Sequence, residues 1–219
     1  MASLQHLWPR LSAILTVTGS SSTLLGRAVL GRAVLANALM ISTLGVALTA
    51  EADQVSEPAN AKLELMLYAG GGKQPRSDTQ KNTAVGVDLN FYRHVFTDKQ
   101  TLFIGTGVAQ LTSNTDANNR LMAYSIYPQL NLTLPKIGSS QPYFYVRTLG
   151  PTYLSETQLG ERVQGNHFVF QSQLGLGLYF GDNNTWLANI AYRHYSNARL
   201  SAPNDGIDAL VLLTLGGRY

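Results

Sequence analysis

A histidine and a serine stand two residues apart near the end of an alternating segment, residues 185–197. In an extended chain the side chains at positions i and i+2 point to the same side, so His194 and Ser196 would share one face of a strand. Such a pair can carry out acyl transfer, because the imidazole accepts the serine proton and the alkoxide attacks an ester carbonyl carbon. The pair therefore suggests a serine esterase.

The face that carries this pair is otherwise apolar, with Trp186, Ile190 and Tyr192 among the preceding residues. We expect this apolar face to meet lipid. Polar side chains on a lipid-facing strip are costly and often functional, which favours catalysis. The plain alternative is that His194 and Ser196 are interfacial polar residues close to lipid headgroups.

Alternation with period two extends over most of the chain and predicts β-strands. In the longest example, residues 168–180, phenylalanines and leucines lie on one face and glutamines and glycines on the other. About eight strands are predicted, near residues 62–70, 83–95, 100–112, 120–134, 141–154, 164–180, 185–196 and 207–219. The intervening segments carry turn residues, and we interpret Gly70-Gly71-Gly72 as a flexible turn.

Eight strands with one apolar face fit either a soluble barrel with an apolar interior or a transmembrane barrel with an apolar exterior. Three features favour the transmembrane form. The strands have the length of a tilted bilayer crossing, the polar faces carry glycine and glutamine, and the chain ends on an aromatic residue, Tyr219. The sequence thus predicts an all-β protein, an antiparallel transmembrane β-barrel of about eight strands, over residues 53–219.

Residues 1–52 differ from the rest and are predicted to be a signal peptide. Arg27 and Arg32 precede an apolar stretch, and Ala50-Glu51-Ala52 then supplies a small-x-small cleavage pattern. The alternative is a transmembrane anchor, since the apolar stretch approaches the length of a span. We expect cleavage after Ala52.

Composition limits the other classes of function. The 219 residues include no cysteine, which excludes disulfides and cysteine-ligated metal sites. His94 and His167 have no nearby histidine or acid at ligand spacing, so we expect no metal and no cofactor. The sequence after the leader is nearly neutral and has no basic run, which argues against nucleic acid as a partner.

The segment from His194 to Ala198, followed by residues 203–208, resembles the lipid A 3-O-deacylase (PagL-type) family of outer-membrane β-barrel esterases. Members of that family carry a His-x-Ser-Asn motif and then an Asn-x-Gly-hydrophobic-acid motif before the last strand. The resemblance covers about fifteen contiguous residues. It implies an outer-membrane enzyme that hydrolyses an ester-linked acyl chain of lipid A.

The resemblance also implies a role for each motif residue. Ser196 would be the nucleophile and His194 the general base. Asp208 stands where the family usually has glutamate, and it would orient the imidazole. Asn197 is a candidate for oxyanion stabilisation together with main-chain N–H groups near the motif, and Asn204 is expected to brace the loop.

The direction of Asp208 is left open by the strand pattern. Strict alternation back from an outward Tyr219 places Asp208 on the inward face, away from His194. A β-bulge would return it to the outward face, and Gly216-Gly217 is a natural place for one.

Three functions compete at this point. The leading one is a lipid A deacylase whose partners are lipopolysaccharide and outer-membrane lipid, and the sequence leaves a homodimer open. The second is a non-enzymatic small outer-membrane barrel, an adhesin or a structural protein, which needs no His-Ser-acid set. The third is a barrel acyltransferase, which would use the same nucleophile and pass the acyl group to another alcohol.

Overall fold

The computed structural model describes residues 63–219, and the predicted signal peptide, residues 1–52, lies outside the described residues. Eight long strands dominate this part of the chain, accompanied by a short hairpin (β6 and β7) and one 3-10 turn, Asp182–Asn184. The strands are β1 (Glu64–Lys73), β2 (Lys81–Thr97), β3 (Gln100–Ser113), β4 (Arg120–Thr133), β5 (Gln141–Leu154), β6 (Gln158–Leu159), β7 (Arg162–Val163), β8 (Phe168–Phe180), β9 (Trp186–Ser196) and β10 (Ile207–Arg218).

The eight long strands close into one antiparallel barrel. Each strand pairs with its neighbours in sequence, the β6–β7 hairpin lies between β5 and β8, and β10 pairs with β1 to complete the ring. Closure leaves no unpaired sheet edge, which a barrel in lipid requires. The predicted eight-stranded antiparallel transmembrane barrel is confirmed. No helix within residues 63–219 is long and apolar enough to span a membrane.

The two faces of the barrel differ in the way that alternation predicts. On β1, Leu65 and Leu67 are exposed on the outside, whereas Glu64, Met66 and Tyr68 are buried inside. The other strands repeat this arrangement, and their outward apolar side chains include Val85, Ile126, Leu176, Ile190, Leu213 and Leu215. An apolar exterior over a polar interior is the arrangement of a barrel whose outer surface meets lipid.

Charged and aromatic side chains fill the barrel interior. Asp88 on β2 accepts hydrogen bonds from Arg147 on β5 and Arg193 on β9, at 2.5 Å and 2.8 Å. The guanidinium of Arg147 lies 3.7 Å from the ring centroid of Tyr127, and that of Arg193 lies 4.3 Å from the ring centroid of Tyr68. These contacts join strands from different sides of the ring and plug its centre.

Two predicted boundaries are wrong. Gly70, Gly71 and Gly72 belong to β1 and not to a turn, and the turn follows them at residues 74–80. Strand pairing on both sides overrides the local preference, and a Cβ on Gly70 or Gly71 would lie about 2 Å from a carbonyl oxygen of the neighbouring strand. In addition, residues 164–167 were predicted to begin this strand, but they precede β8, which starts at Phe168.

The connections at the two ends of the barrel differ in length. One end has the short link at residues 98–99, residues 134–140 and residues 181–185, together with the C-terminal residue. The other end has residues 74–80, 114–119, 155–167 and 197–206, and the last two of these segments are longer than any connection at the first end. β9 ends and β10 begins at this second end, so the motif residues lie beside the longer loops.

Candidate active site

The outer face of β9 carries the histidine and the serine of the motif. Trp186 and Ile190 are exposed on this face, and His194 and Ser196 continue it at half-buried positions. The alternate residues Arg193 and Tyr195 are buried in the interior. The predicted faces of this strand are therefore confirmed, and both candidate side chains lie on the side of the barrel that meets lipid.

A β-bulge in β10 determines the direction of Asp208. Ala209 pairs with Arg193 and Leu212 pairs with Ala191, so β10 contains one residue more than β9 between these two pairs. The extra residue reverses the alternation, and Asp208 lies directly opposite His194 in the ladder. A bulge is thus present, but it lies between Ala209 and Leu212 and not at Gly216-Gly217.

His194 and Asp208 form a hydrogen bond on the outside of the barrel. His194 Nδ1 lies 2.8 Å from Asp208 Oδ1, and 33% of the histidine side chain and 7% of the aspartate side chain are exposed. Directly opposed residues in antiparallel strands have neighbouring Cβ atoms, so the short aspartate side chain reaches the imidazole. This contact leaves Nε2, the other ring nitrogen, on the side away from the carboxylate.

Two further side chains bind the carboxylate of Asp208. Tyr192, two residues before His194 on the same outer face, donates its hydroxyl to Oδ1. Gln74, from the turn after β1, donates its amide to Oδ2 at 2.8 Å. The acid therefore has a hydrogen-bond donor on each oxygen atom, which fixes its orientation toward the imidazole.

The sequence pattern did not single out either Tyr192 or Gln74 as a partner of the acid. Tyr192 could have been found from its place on the His194 face, whereas Gln74 is 134 residues away and has no local signal.

Gly206 packs against the imidazole from the loop before β10. Its backbone lies at φ +70°, and a Cβ placed there would be 2.7 Å from Cε1 of His194. A side chain at this position would both strain the backbone and push the ring. The glycine of the Asn-x-Gly motif therefore gives the histidine room on the loop side.

The two motif asparagines hold the loop of residues 197–206 in place. Asn197 is fully buried, and its side-chain amide donates to carbonyl oxygens of Ser201 and Pro203 at 2.9 Å and 3.1 Å. The side chain of Asn204 accepts the main-chain N–H of Asn197 at 3.0 Å. In this arrangement both asparagines support the loop, and the amide donors of Asn197 are already engaged there.

Ser196 lies beside the histidine but is not bonded to it. Within residues 63–219 no hydrogen bond joins Ser196 to His194. Contacts between a catalytic base and its nucleophile are often loose in the absence of substrate. Proton transfer requires the Ser196 hydroxyl to come within hydrogen-bond distance of Nε2. The arrangement can then transfer a proton from serine to histidine while the carboxylate stabilises the charged imidazole.

Comparison with known proteins places this region in context. The model of the family described as Lipid A 3-O-deacylase (PagL) matches residues 126–214, which include all the motif residues. The lipid A deacylase PagL of Pseudomonas aeruginosa is 33% identical over 75 residues, which are 34% of this chain and 42% of that protein. The PagL of Bordetella bronchiseptica is 33% identical over 70 residues, 32% of this chain and 38% of that protein. The predicted family resemblance is confirmed, although the chain spans only about two fifths of the length of these curated relatives.

A solved structure supports the fold over a longer stretch. The crystal structure of the outer membrane enzyme PagL superimposes with a TM-score of 0.53 and 21% sequence identity. The match covers 68% of this chain and 97% of that chain. The likeness extends over nearly all of that barrel and establishes a shared architecture.

Proposed function

We propose that this chain, whose residues 126–214 carry the lipid A 3-O-deacylase (PagL) family segment, is an outer-membrane esterase that removes an ester-linked acyl chain from lipid A. Cleavage of the leader after Ala52 and insertion of residues 53–219 into the outer membrane are part of this proposal. The substrate would be a lipid of the same membrane into which the barrel inserts.

The pairing of His194 with Asp208 on the outer surface carries this proposal. An imidazole held at 2.8 Å from a carboxylate, with a serine two residues away on the same face, has the composition of a serine hydrolase site. A barrel that served only as a scaffold would gain nothing from a histidine and an acid beside lipid, where polar groups are costly. The position on the exterior also matches a substrate whose acyl chains lie in the bilayer.

The proposed reaction follows from the three side chains. Ser196 Oγ attacks the ester carbonyl carbon while its proton passes to His194 Nε2, and Asp208 stabilises the imidazolium through Nδ1–H. The tetrahedral intermediate then expels the alcohol of the lipid, which takes the proton from Nε2. Water, deprotonated by the same nitrogen, attacks the acyl-serine, and the fatty acid leaves as Ser196 regains its proton. Main-chain N–H groups of the 197–206 loop are the candidates for stabilising the oxyanion.

The filled interior separates this function from that of a pore. Asp88, Arg147 and Arg193 meet at the centre of the barrel and are almost fully buried. A porin-like role would need an aqueous lumen, which requires a wider barrel or smaller interior side chains. The exterior is therefore the surface on which this chain can act on a ligand of its own membrane.

Mass spectrometry of lipid A tests the proposal. The wild-type chain and the Ser196→Ala variant are expressed in a Gram-negative strain whose lipid A retains all its ester-linked chains. We expect lipid A lacking one ester-linked acyl chain, together with free fatty acid, for the wild type alone. Transfer of the missing chain to another alcohol would identify an acyltransferase. Unmodified lipid A in the presence of a folded, membrane-inserted wild-type barrel would contradict the proposal and favour a structural barrel.

A further inference from the structure

The turn after β1 places one side chain against both the backbone and the carboxylate of Asp208. Gln74 Nε2 donates to Asp208 Oδ2 at 2.8 Å, and Gln74 Oε1 accepts the main-chain N–H of Asp208 at 3.0 Å. The amide therefore makes a two-point contact with a single residue on a strand 134 positions later in the chain. Gln74 is fully buried, so no water competes for these bonds.

Neighbouring contacts hold this amide in position. Asn82, at the start of β2, donates its side-chain amide to Gln74 Oε1 and also to the main-chain oxygen of Asp208, the latter at 2.9 Å. Arg162 joins the same two segments from outside, since it donates to the carbonyl oxygens of Pro75 and Gly206 at 2.9 Å and 3.2 Å. The 74–80 turn is thus fastened to the segment that carries the acid.

The contact acts on the one torsion that decides where the carboxylate points. Rotation about the Cβ–Cγ bond of aspartate is broad and has no sharp staggered minima. Oδ1 of Asp208 accepts bonds from both His194 and Tyr192, whereas Oδ2 is held by Gln74. With Oδ2 fixed, Oδ1 stays in the plane that the imidazole Nδ1–H needs.

We propose that Gln74 is a positioning residue, which orients the Asp208 carboxylate and through it selects the His194 tautomer that carries its proton on Nδ1. The inference rests on the proposed function for its kinetic consequence. Gln74 is fully buried, and its side chain hydrogen-bonds Asp208, Asn82 and Pro75 but not Ser196, so it acts through Asp208. The hydrogen bond made by one ring nitrogen of a histidine determines which nitrogen remains free as the base.

Gln74→Met tests the kinetic consequence, because methionine keeps the length of the side chain and removes both hydrogen bonds. We expect kcat for lipid A deacylation to fall about tenfold, at the lower end of what the loss of an orienting partner costs at metal-bound histidines, with KM unchanged. The same substitution in an Asp208→Ala background should cause no further loss, because residues that act as one unit do not have additive effects. Equal losses in the two backgrounds would overturn the inference.

Gln171→Met is the matched control. Gln171 is also a buried glutamine of the barrel, but it faces the interior and donates to Gln173 Oε1 at 3.5 Å. We expect this variant to keep wild-type kcat. Heat-dependent gel migration of each variant reports whether the barrel has folded, and kcat is expressed per folded molecule.

Ring-nitrogen NMR of histidine-labelled protein gives a second readout that needs no turnover, with His194→Asn used to assign the signal. We expect the Nδ1–H tautomer of His194 in the wild type and in Gln171→Met, and a shift toward the Nε2–H tautomer in Gln74→Met. An unchanged tautomer in folded Gln74→Met would overturn the inference. If wild type and Ser196→Ala show the same lack of deacylation, the proposed function fails, and the NMR result still decides the role of Gln74.

Discussion

Two carboxylates of the barrel, Asp88 and Asp208, bind nitrogen-bearing side chains on opposite faces of the sheet. In the interior, Asp88 lies between Arg147 and Arg193, and all three side chains are at most 4% exposed. On the exterior, Asp208 binds His194, whose side chain is 33% exposed and whose Nε2 makes no hydrogen bond within residues 63–219. Arg193 and His194 are consecutive residues, so alternation of β9 alone assigns them to the two environments.

The two arrangements differ in whether their unbonded atom is accessible, since the unbonded Oδ1 of Asp88 is buried whereas the His194 side chain is partly exposed. Each interior guanidinium has further partners, since Nε of Arg147 donates to Gln129 at 2.7 Å and Nε of Arg193 donates to Gln173 at 2.6 Å. Such a network can hold strands together but has little capacity to react. On the exterior, Nε2 of His194 has no hydrogen bond within residues 63–219 and shares a strand face with Ser196, as a general base for a serine must. We infer that the interior supports the barrel and the exterior carries the chemistry.

The largest expected effect comes from removing the exterior nucleophile or base. Ser196→Ala and His194→Ala should each lower deacylation on the order of a thousandfold or more, because neither an alkoxide nor its proton acceptor then remains. Both side chains lie near the end of β9 and are partly exposed, so the folded barrel should persist. Lipid A mass spectrometry and gel migration measure the two properties, and wild-type turnover by Ser196→Ala would refute the mechanism.

Removing the interior carboxylate should lower the stability of the barrel and leave its activity per folded molecule nearly unchanged. Asp88→Ala leaves two buried guanidinium groups without their shared carboxylate, and we expect a loss of about 3–5 kcal/mol in the free energy of unfolding. Activity per folded molecule should change little, since Asp88 does not contact the site. Urea unfolding in detergent measures the loss, with the exposed Asp116→Ala as the control. A large fall in kcat at unchanged stability would show that the two regions are coupled.

A smaller effect is expected where the loop meets the imidazole. Gly206→Ala adds a Cβ 2.7 Å from His194 Cε1 at a φ of +70°. The ring must move by several tenths of an ångström, and we expect kcat to fall about tenfold to a hundredfold, as misplacement of a catalytic group does. Ala202→Gly in the same loop is a matched control for altered backbone freedom. Equal kcat for Gly206→Ala and wild type would indicate that the loop adjusts without moving the ring.

The smallest change is expected from lengthening the exterior acid. Asp208→Glu keeps the carboxylate and its charge, so we expect deacylation to fall by less than about tenfold, below the loss for removal of an orienting partner. Asp208→Ala should cost more than Asp208→Glu and less than Ser196→Ala, because the acid orients and does not react. If all substitutions of Asp208 changed the free energy of unfolding and none changed kcat, the role of the acid would be structural, like that of Asp88.

The barrel could be predicted from the sequence because the alternation that indicates it arises within each strand. Alternation with period two follows from strand geometry and from lipid on one side, so the faces of β1, β8 and β9 could be assigned residue by residue. Gly70-Gly71-Gly72 was misassigned for the opposite reason. A run of glycines is typical of a turn when read locally. Its place in β1 depends on pairing with β2 and β10, and β10 lies far away in the sequence.

The candidate site likewise has residues that could be placed from sequence spacing and residues that could not. His194 and Ser196 could be placed on one face from their spacing, and the structure places Asp208 with them. The bulge between Ala209 and Leu212 depends on how β10 pairs with β9. The contact of Gln74 with Asp208 depends on closure of the barrel, which brings the first strand beside the last. Both are consequences of register, which sequence spacing does not encode.

The outward placement of His194 and Ser196 has a kinetic consequence for any lipid substrate. A lipid reaches this surface by lateral diffusion within the leaflet, so encounter takes place in two dimensions. The quantity that governs the rate is then the mole fraction of substrate among the surrounding lipids or detergent molecules. We expect dilution with inert detergent at constant bulk substrate concentration to slow the reaction in proportion, and dilution with buffer at constant mole fraction to leave the turnover rate per barrel unchanged.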